Sequence, residues 1–149
     1  MSDAPLRLIA FDEEDLAIVS AHAQDAVLRV QDMAFEPESR IFALLASRFG
    51  WSGDDTEQSQ PCRCLSALEV RNVTKVRSRG VDMEKGDDVL NLLAVTFEAD
   101  SPPSGDVVLH FSGGGAIRLT VECLETTLCD MGEAWQTSGC PHHDLPEEK

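Results

Sequence analysis

Apolar residues fall into short alternating runs along most of this chain, divided by polar or Gly/Pro-bearing breaks, and two stretches show helical spacing instead. Residues 6–11 (LRLIAF) predict a short strand. Asp12 suits a helix N-cap, and Glu13, Glu14 and Asp15 set negative charge against the helix N-terminus. Leu16, Val19, Ala23 and Ala26 then recur at helical spacing, which predicts a helix over about 13–26. Two runs, 27–35 and 40–50, flank Glu-Pro-Glu-Ser and read as a β-hairpin; along 41–51, Ile41, Ala43, Leu45, Phe49 and Trp51 share one face. Residues 52–61 are a polar loop, 62–79 a long strand bent near Asn72, 81–88 a charged turn, and 89–98 (VLNLLAVTFE) the most apolar strand. After the loop 99–105, a turn on Gly113, Gly114 and Gly115 would place Phe111 opposite Ile117, Leu109 opposite Leu119 and Val107 opposite Val121. Leu124, Leu128, Met131 and Trp135, at i, i+4, i+7 and i+11, predict a second helix over about 122–136, interrupted by Gly132.

The order β-α-β-β-β-β-β-β-α, with short polar turns between strands, excludes parallel neighbours, which need long crossovers. It predicts an α+β domain: a bent, mainly antiparallel sheet of six or seven strands with an N-terminal and a C-terminal helix. That order also resembles a pleckstrin-homology-like barrel. Residues 1–136 read as one domain and 137–149 (TSGCPHHDLPEEK) as a flexible tail. The expected core is Leu16, Val19, Phe35, Phe49, Leu93, Val95, Phe97, Leu109, Phe111, Ile117, Leu119, Leu124, Leu128 and Trp135.

Composition narrows the setting. At 149 residues and 42% hydrophobic the chain can bury a core, so it is not a disordered acidic segment. A net charge of -15 argues against nucleic acid or an anionic membrane as partner. The start carries neither a basic leader nor a long apolar run, and the five cysteines are an odd number, so a cytoplasmic protein with mostly reduced thiols is expected, a monomer or weak homo-oligomer.

Four constellations could carry chemistry. Cys62 and Cys64 share one side of a strand, and with Cys140, His142 and His143 could offer a soft metal site, although the spacing matches no zinc framework. A Cys–His nucleophile could pair any of the five cysteines with His22 or His110, but sequence does not show any pair within the ~3 Å that activation needs. The more ordinary reading makes Cys123 and Cys129 packing residues, His22 a surface histidine, and His110 the cross-strand neighbour of Arg118. Ser112-Gly113-Gly114-Gly115 leads into a strand without a lysine, so it is a hairpin turn and not a phosphate loop. Charge says more. From 63 to 79 the chain carries Arg63, Arg71, Lys75, Arg77 and Arg79 against Glu69 alone, and strand periodicity points Arg71, Val73, Lys75, Arg77 and Arg79 the same way. Such a ridge could dock a carboxylate- or phosphate-bearing partner. The more ordinary reading is a solvated face neutralised by nearby acids, or an edge strand guarded by charge.

The segments LRLIAFDEEDLAIVSAHAQDAV, FGW, VRSRGVD, VLNLLAVTFE and GGGAIRLTVECLE resemble, in order, domain-of-unknown-function family 2948, small uncharacterised alphaproteobacterial proteins. The resemblance covers about 6–136, leaves out Cys62, Cys64 and the segment after 136, and implies no activity, cofactor or site residue. No catalytic or cofactor motif stands out, so a non-enzymatic binding or regulatory domain without a cofactor is expected, recognising a protein or anionic ligand through Arg71, Lys75, Arg77 and Arg79. The alternative is a small enzyme or ligand-binding barrel with its pocket inside the curved sheet.

Overall fold

Asp12 starts the helix as its position predicts: its carboxylate accepts the Asp15 N–H at 2.8 Å. The computed structural model describes residues 6–52, 60–131 and 135–136. Strand β1 (Arg7–Ala10) leads into helix α1 (Glu13–Ala23), whose Leu16, Val19 and Ala23 are buried. The helix stops short of Ala26, because Asp25 is left-handed (φ 69) and its N–H bonds the Leu92 carbonyl at 2.7 Å. Ala26 is buried as the first residue of β2 (Ala26–Arg29) instead.

A 3-10 turn at Val30–Asp32 separates β2 from β3 (Met33–Glu36), so the run 27–35 is two strands. Both lie along β4 (Ile41–Ser52), and β3 forms the expected hairpin with it, Glu36 opposite Ile41 and Phe35 opposite Phe42. The face of β4 is the reverse of the expected one. Phe42, Leu44, Ala46 and Arg48 are buried, while Leu45 is exposed. Both faces are apolar up to residue 46, and Arg48 made the inward one look polar.

Next come β5 (Gln60–Val70), β6 (Val73–Arg79), β7 (Val89–Ala99), β8 (Gly105–Phe111), β9 (Ala116–Val121), β10 (Thr126–Asp130) and the two-residue β11 (Trp135–Gln136). The bend near Asn72 is a corner: Asn72 sits at φ 63, the left-handed region that asparagine tolerates. In the last hairpin Phe111 N–H closes on the Gly115 carbonyl at 2.8 Å, with Gly113 and Gly114 both at positive φ. Leu109 therefore faces Ile117 and Val107 faces Leu119. This register is offset by one pair from the expected one, an even slip that keeps every side chain on its predicted face.

The predicted C-terminal helix is not formed over the described residues. Residues 126–130 are strand β10, paired antiparallel with both β1 and β5. Leu124 and Leu128 are four apart, a spacing that one helix face and one strand face both satisfy, and the β-branched Thr126 and Thr127 favour the strand. Among the described residues there is one α-helix and an eleven-stranded antiparallel sheet, so the fold is mainly β, not a six- or seven-stranded α+β domain. With no closing helix among the described residues, the pleckstrin-homology-like order is not seen there either.

The hydrogen-bonded path runs β1-β10-β5-β4-β2-β7-β8-β9-β6, with β3 on β4 and β11 on β5. It is open, ending on β1 and β6. The chain nevertheless links its two halves, because β5 continues into β6 and β9 into β10 around one corner: Arg71 N–H bonds the Glu125 carbonyl and Glu122 N–H the Asn72 carbonyl, each at 3.0 Å. The curled inner face and α1 enclose one core that includes Leu16, Val19, Leu28, Phe42, Leu68, Val95, Leu109, Phe111, Ile117, Leu119, Leu124 and Leu128. Phe35 and Phe97 pack at its margin, and Leu93 is 42% exposed, outside it. The side chains of Phe49 and Trp135 lie outside the described residues.

Candidate functional site at the open edge of the sheet

The basic stretch is sorted by one extra residue. Register steps from Val73 opposite Val121 to Lys75 opposite Thr120, so Thr74 is a β-bulge whose hydroxyl donates to the Thr120 carbonyl at 3.3 Å. Without it, alternation from the buried Val73 would turn Lys75, Arg77 and Arg79 towards the core. With it they are exposed and Val76 is partly buried. Val73 thus leaves the predicted basic face, and Arg71 leaves it too, standing before the corner. Its guanidinium meets Glu69 at 3.0 Å and Glu125 at 3.9 Å.

Arg77 lies opposite Arg118 on β9, a juxtaposition of like charges made tolerable by one carboxylate. Asp106 on β8 takes Arg118 at 2.9 Å, Arg77 at 3.4 Å and the Thr120 hydroxyl at 3.0 Å; Arg118 also reaches Glu98 at 2.7 Å. Burial pushes the Asp106 carboxyl upward, but the hydrogen bonds from Arg118 and Thr120 and the two guanidinium charges outweigh it and hold the carboxyl below its usual range. The same hydrogen bonds, to Glu98 and Asp106, push Arg118 further up. Lys75 and Arg79 make no ion pair among the described residues. Of the four predicted site residues, then, the structure gathers three on β6 and leaves two of them without acidic partners among the described residues.

A second polar cluster escaped sequence reasoning. Arg48 and Asp130 face inward from β4 and β10 with side chains only 10% and 6% exposed, and pair at 3.0 Å. Ser66 on β5 donates to Asp130 Oδ1 at 2.7 Å, and the Leu6 N–H donates to Oδ2 at 2.8 Å. Burial again pushes the Asp130 carboxyl up, while hydrogen bonds from Arg48, Leu6 and Ser66 bring it below the usual range. The alternation Phe42, Leu44, Ala46, Arg48 could have flagged an inward arginine, but nothing in the sequence identifies its partner 82 residues away.

The other candidates separate. Cys64 is buried, the side chain of Cys62 and residues Cys140, His142 and His143 lie outside the described residues, and among the described residues no group of His, Cys, Asp and Glu is placed to hold a metal ion. Cys123 is at the corner and Cys129 on β10, so neither lies on a helix. His22 Nδ1 donates to the Ile18 carbonyl at 3.0 Å, as a surface helix histidine does. His110 faces Ala116, not Arg118, and hydrogen-bonds the Thr96 hydroxyl at 2.8 Å. A shallow depression of about 250 Å³ lies on the outer face of β5 and β10, over Ala67 and Cys129 between Arg7, Arg71 and Met131. Among the described residues no helix is long and apolar enough to cross a membrane.

Fold and site together define a mainly antiparallel β-sheet domain with a filled interior and a cationic open edge. A family model described as "Protein of unknown function (DUF2948)" matches residues 6–143, and the chain belongs to that family. The match runs past residue 136, where the resemblance read from the sequence stopped. No curated protein and no solved structure matches the chain.

Proposed function

We propose that this protein is a non-enzymatic binding domain that docks an anionic partner, a carboxylate-rich protein segment, on the Lys75, Arg77 and Arg79 face of β6. One observation carries the proposal. On a chain with a net charge of -15, the terminal strand presents Lys75 and Arg79 to solvent without an ion pair among the described residues. Solvated cations that are not neutralised locally attract an acidic partner over about a Debye length, ~8 Å at physiological salt. Arg71, committed to Glu69 and Glu125, stands apart from this set. Free thiols at Cys123 and Cys129 go with a reducing, cytoplasmic setting. A pocket inside the sheet, as the enzyme or ligand-barrel alternative requires, has less support, because the curled face is filled with apolar side chains.

The test is titration of a fluorescent Glu-rich peptide into the wild type and into Lys75→Ala/Arg79→Ala. Tenfold or greater weakening in the double variant, and a similar loss on raising salt from 50 to about 500 mM, are expected. Unfolding should shift by less than about 0.5 kcal/mol, as surface changes usually do. Equal affinity of the two proteins would refute the proposal.

A further inference from the structure

We infer that β6 takes its partner by strand addition, pairing its open edge with an extended segment that carries acidic residues four positions apart. This rests on the docking role proposed above and specifies its geometry. β6 ends the hydrogen-bonded path, so beyond Val73, whose N–H is taken by the Arg40 carbonyl at 2.9 Å, every second residue turns its N–H and C=O away from β9. At seven residues it is longer than β1 or β3, four residues each, which also border open edges. An added strand supplies main-chain hydrogen bonds for affinity and alternate side chains for specificity.

Charge decides the occupant. If a second copy paired antiparallel about Arg77, it would set Arg77 against Arg77 and Lys75 against Arg79, and like charges directly opposite are destabilising. The edge therefore rejects itself and accepts an acidic strand. Its spacing follows from the ion pairs. Arg77 is already drawn to Asp106 at 3.4 Å, so an acid opposite Arg77 would meet a carboxylate in the same row. Lys75 and Arg79, about 13 Å apart at ~3.3 Å per residue, are the two cations left to answer. The matching segment has Asp or Glu at i and i+4, an uncharged residue at i+2, and small or apolar residues at i+1 and i+3 towards Val76 and Ser78.

Three labelled peptides of equal composition and charge decide it against the full-length protein: Glu at i and i+4, Glu at i and i+3, and the first peptide N-methylated at alternate residues. The i, i+4 peptide should bind at least tenfold more tightly than either of the others, lose its advantage over the i, i+3 peptide in Lys75→Ala/Arg79→Ala, and slow amide exchange across 74–79. Equal binding of all three peptides, still weakened by the double substitution, would overturn strand addition and leave simple charge docking. Binding of none, or binding indifferent to the double substitution, would overturn both. Circular dichroism of the double variant confirms that it is folded in every arm.

Discussion

Asp130 joins β4, β5, β10 and the residue that leads into β1 through a single carboxylate, and its removal is the most informative perturbation of the fold. Asp130→Leu takes the carboxylate away from the Arg48 guanidinium, whose side chain is 10% exposed, and Arg48→Met takes the guanidinium away from the carboxylate. Breaking one side of a buried pair costs ~3–5 kcal/mol, a large part of the ~5–15 kcal/mol that holds a domain of this size together. Arg48→Met/Asp130→Leu leaves no unpaired charge between these two positions. The Leu6 N–H and the Ser66 hydroxyl lose the same acceptor in Asp130→Leu and in the double variant, so their loss cancels from the coupling. Urea titration of the four proteins at pH 7 should show the double variant more stable than the sum of the singles by at least ~2 kcal/mol. Additivity within about 0.5 kcal/mol would refute the pairing. Acid supplies a second arm. Because the folded carboxyl is held below its ordinary value, its contribution is complete above the unfolded pKa of ~3.9 and is lost as pH falls through the lower folded value. Wild-type stability should therefore decline more steeply than that of Asp130→Leu on going from pH 5 to below pH 3.

Thr126 is fully buried and its hydroxyl has no hydrogen-bond partner among the described residues, so Thr126→Val should raise the unfolding free energy from urea titration by about 1 kcal/mol. A Cβ on Gly105 would come within 2.5 Å of the Glu98 carbonyl oxygen and 2.9 Å of Ala99 Cα, both backbone atoms, so Gly105→Ala should lower the melting temperature, losing ~1–3 kcal/mol as the hairpin is pushed apart. Leu128→Ala should lose ~2–5 kcal/mol in chemical denaturation, and Leu93→Ala less than about 1 kcal/mol, because only the first is buried.

Local signals were legible in the sequence where one period or one cap decided the outcome. Asp12 and the Leu16, Val19, Ala23 stripe located the helix, and the alternation of apolar positions on either side of the glycine turn, broken only at Val108, set the faces of the last hairpin even where its register slid by one pair. The C-terminal strand was misread because Leu124 and Leu128 fit both periods, and the choice is made by pairing with β1 and β5, remote in sequence. The basic ridge was found as composition and missed as geometry. A single bulge residue, Thr74, decides which way three cations point, and nothing in its own identity marks it as extra. Arg48 was hidden for a related reason, since a charged residue reads as outward until its partner is known.

The pairing of β1 with β10 sets an order on biosynthesis. Leu8 lies opposite Leu128, so the first strand cannot find its neighbour until 120 further residues have been translated. At ~5–20 residues per second this leaves it waiting roughly 6 to 24 s. Through that interval LRLIAF is an unpaired apolar strand beside the growing chain, the kind of segment that associates wrongly. Arg7 within it and the run Asp12-Glu13-Glu14-Asp15 behind it place charges of both signs around that segment, as gatekeeper residues do. The acids that start the helix in the finished protein thus also set negative charge directly beside LRLIAF while its partner strand is still to be made.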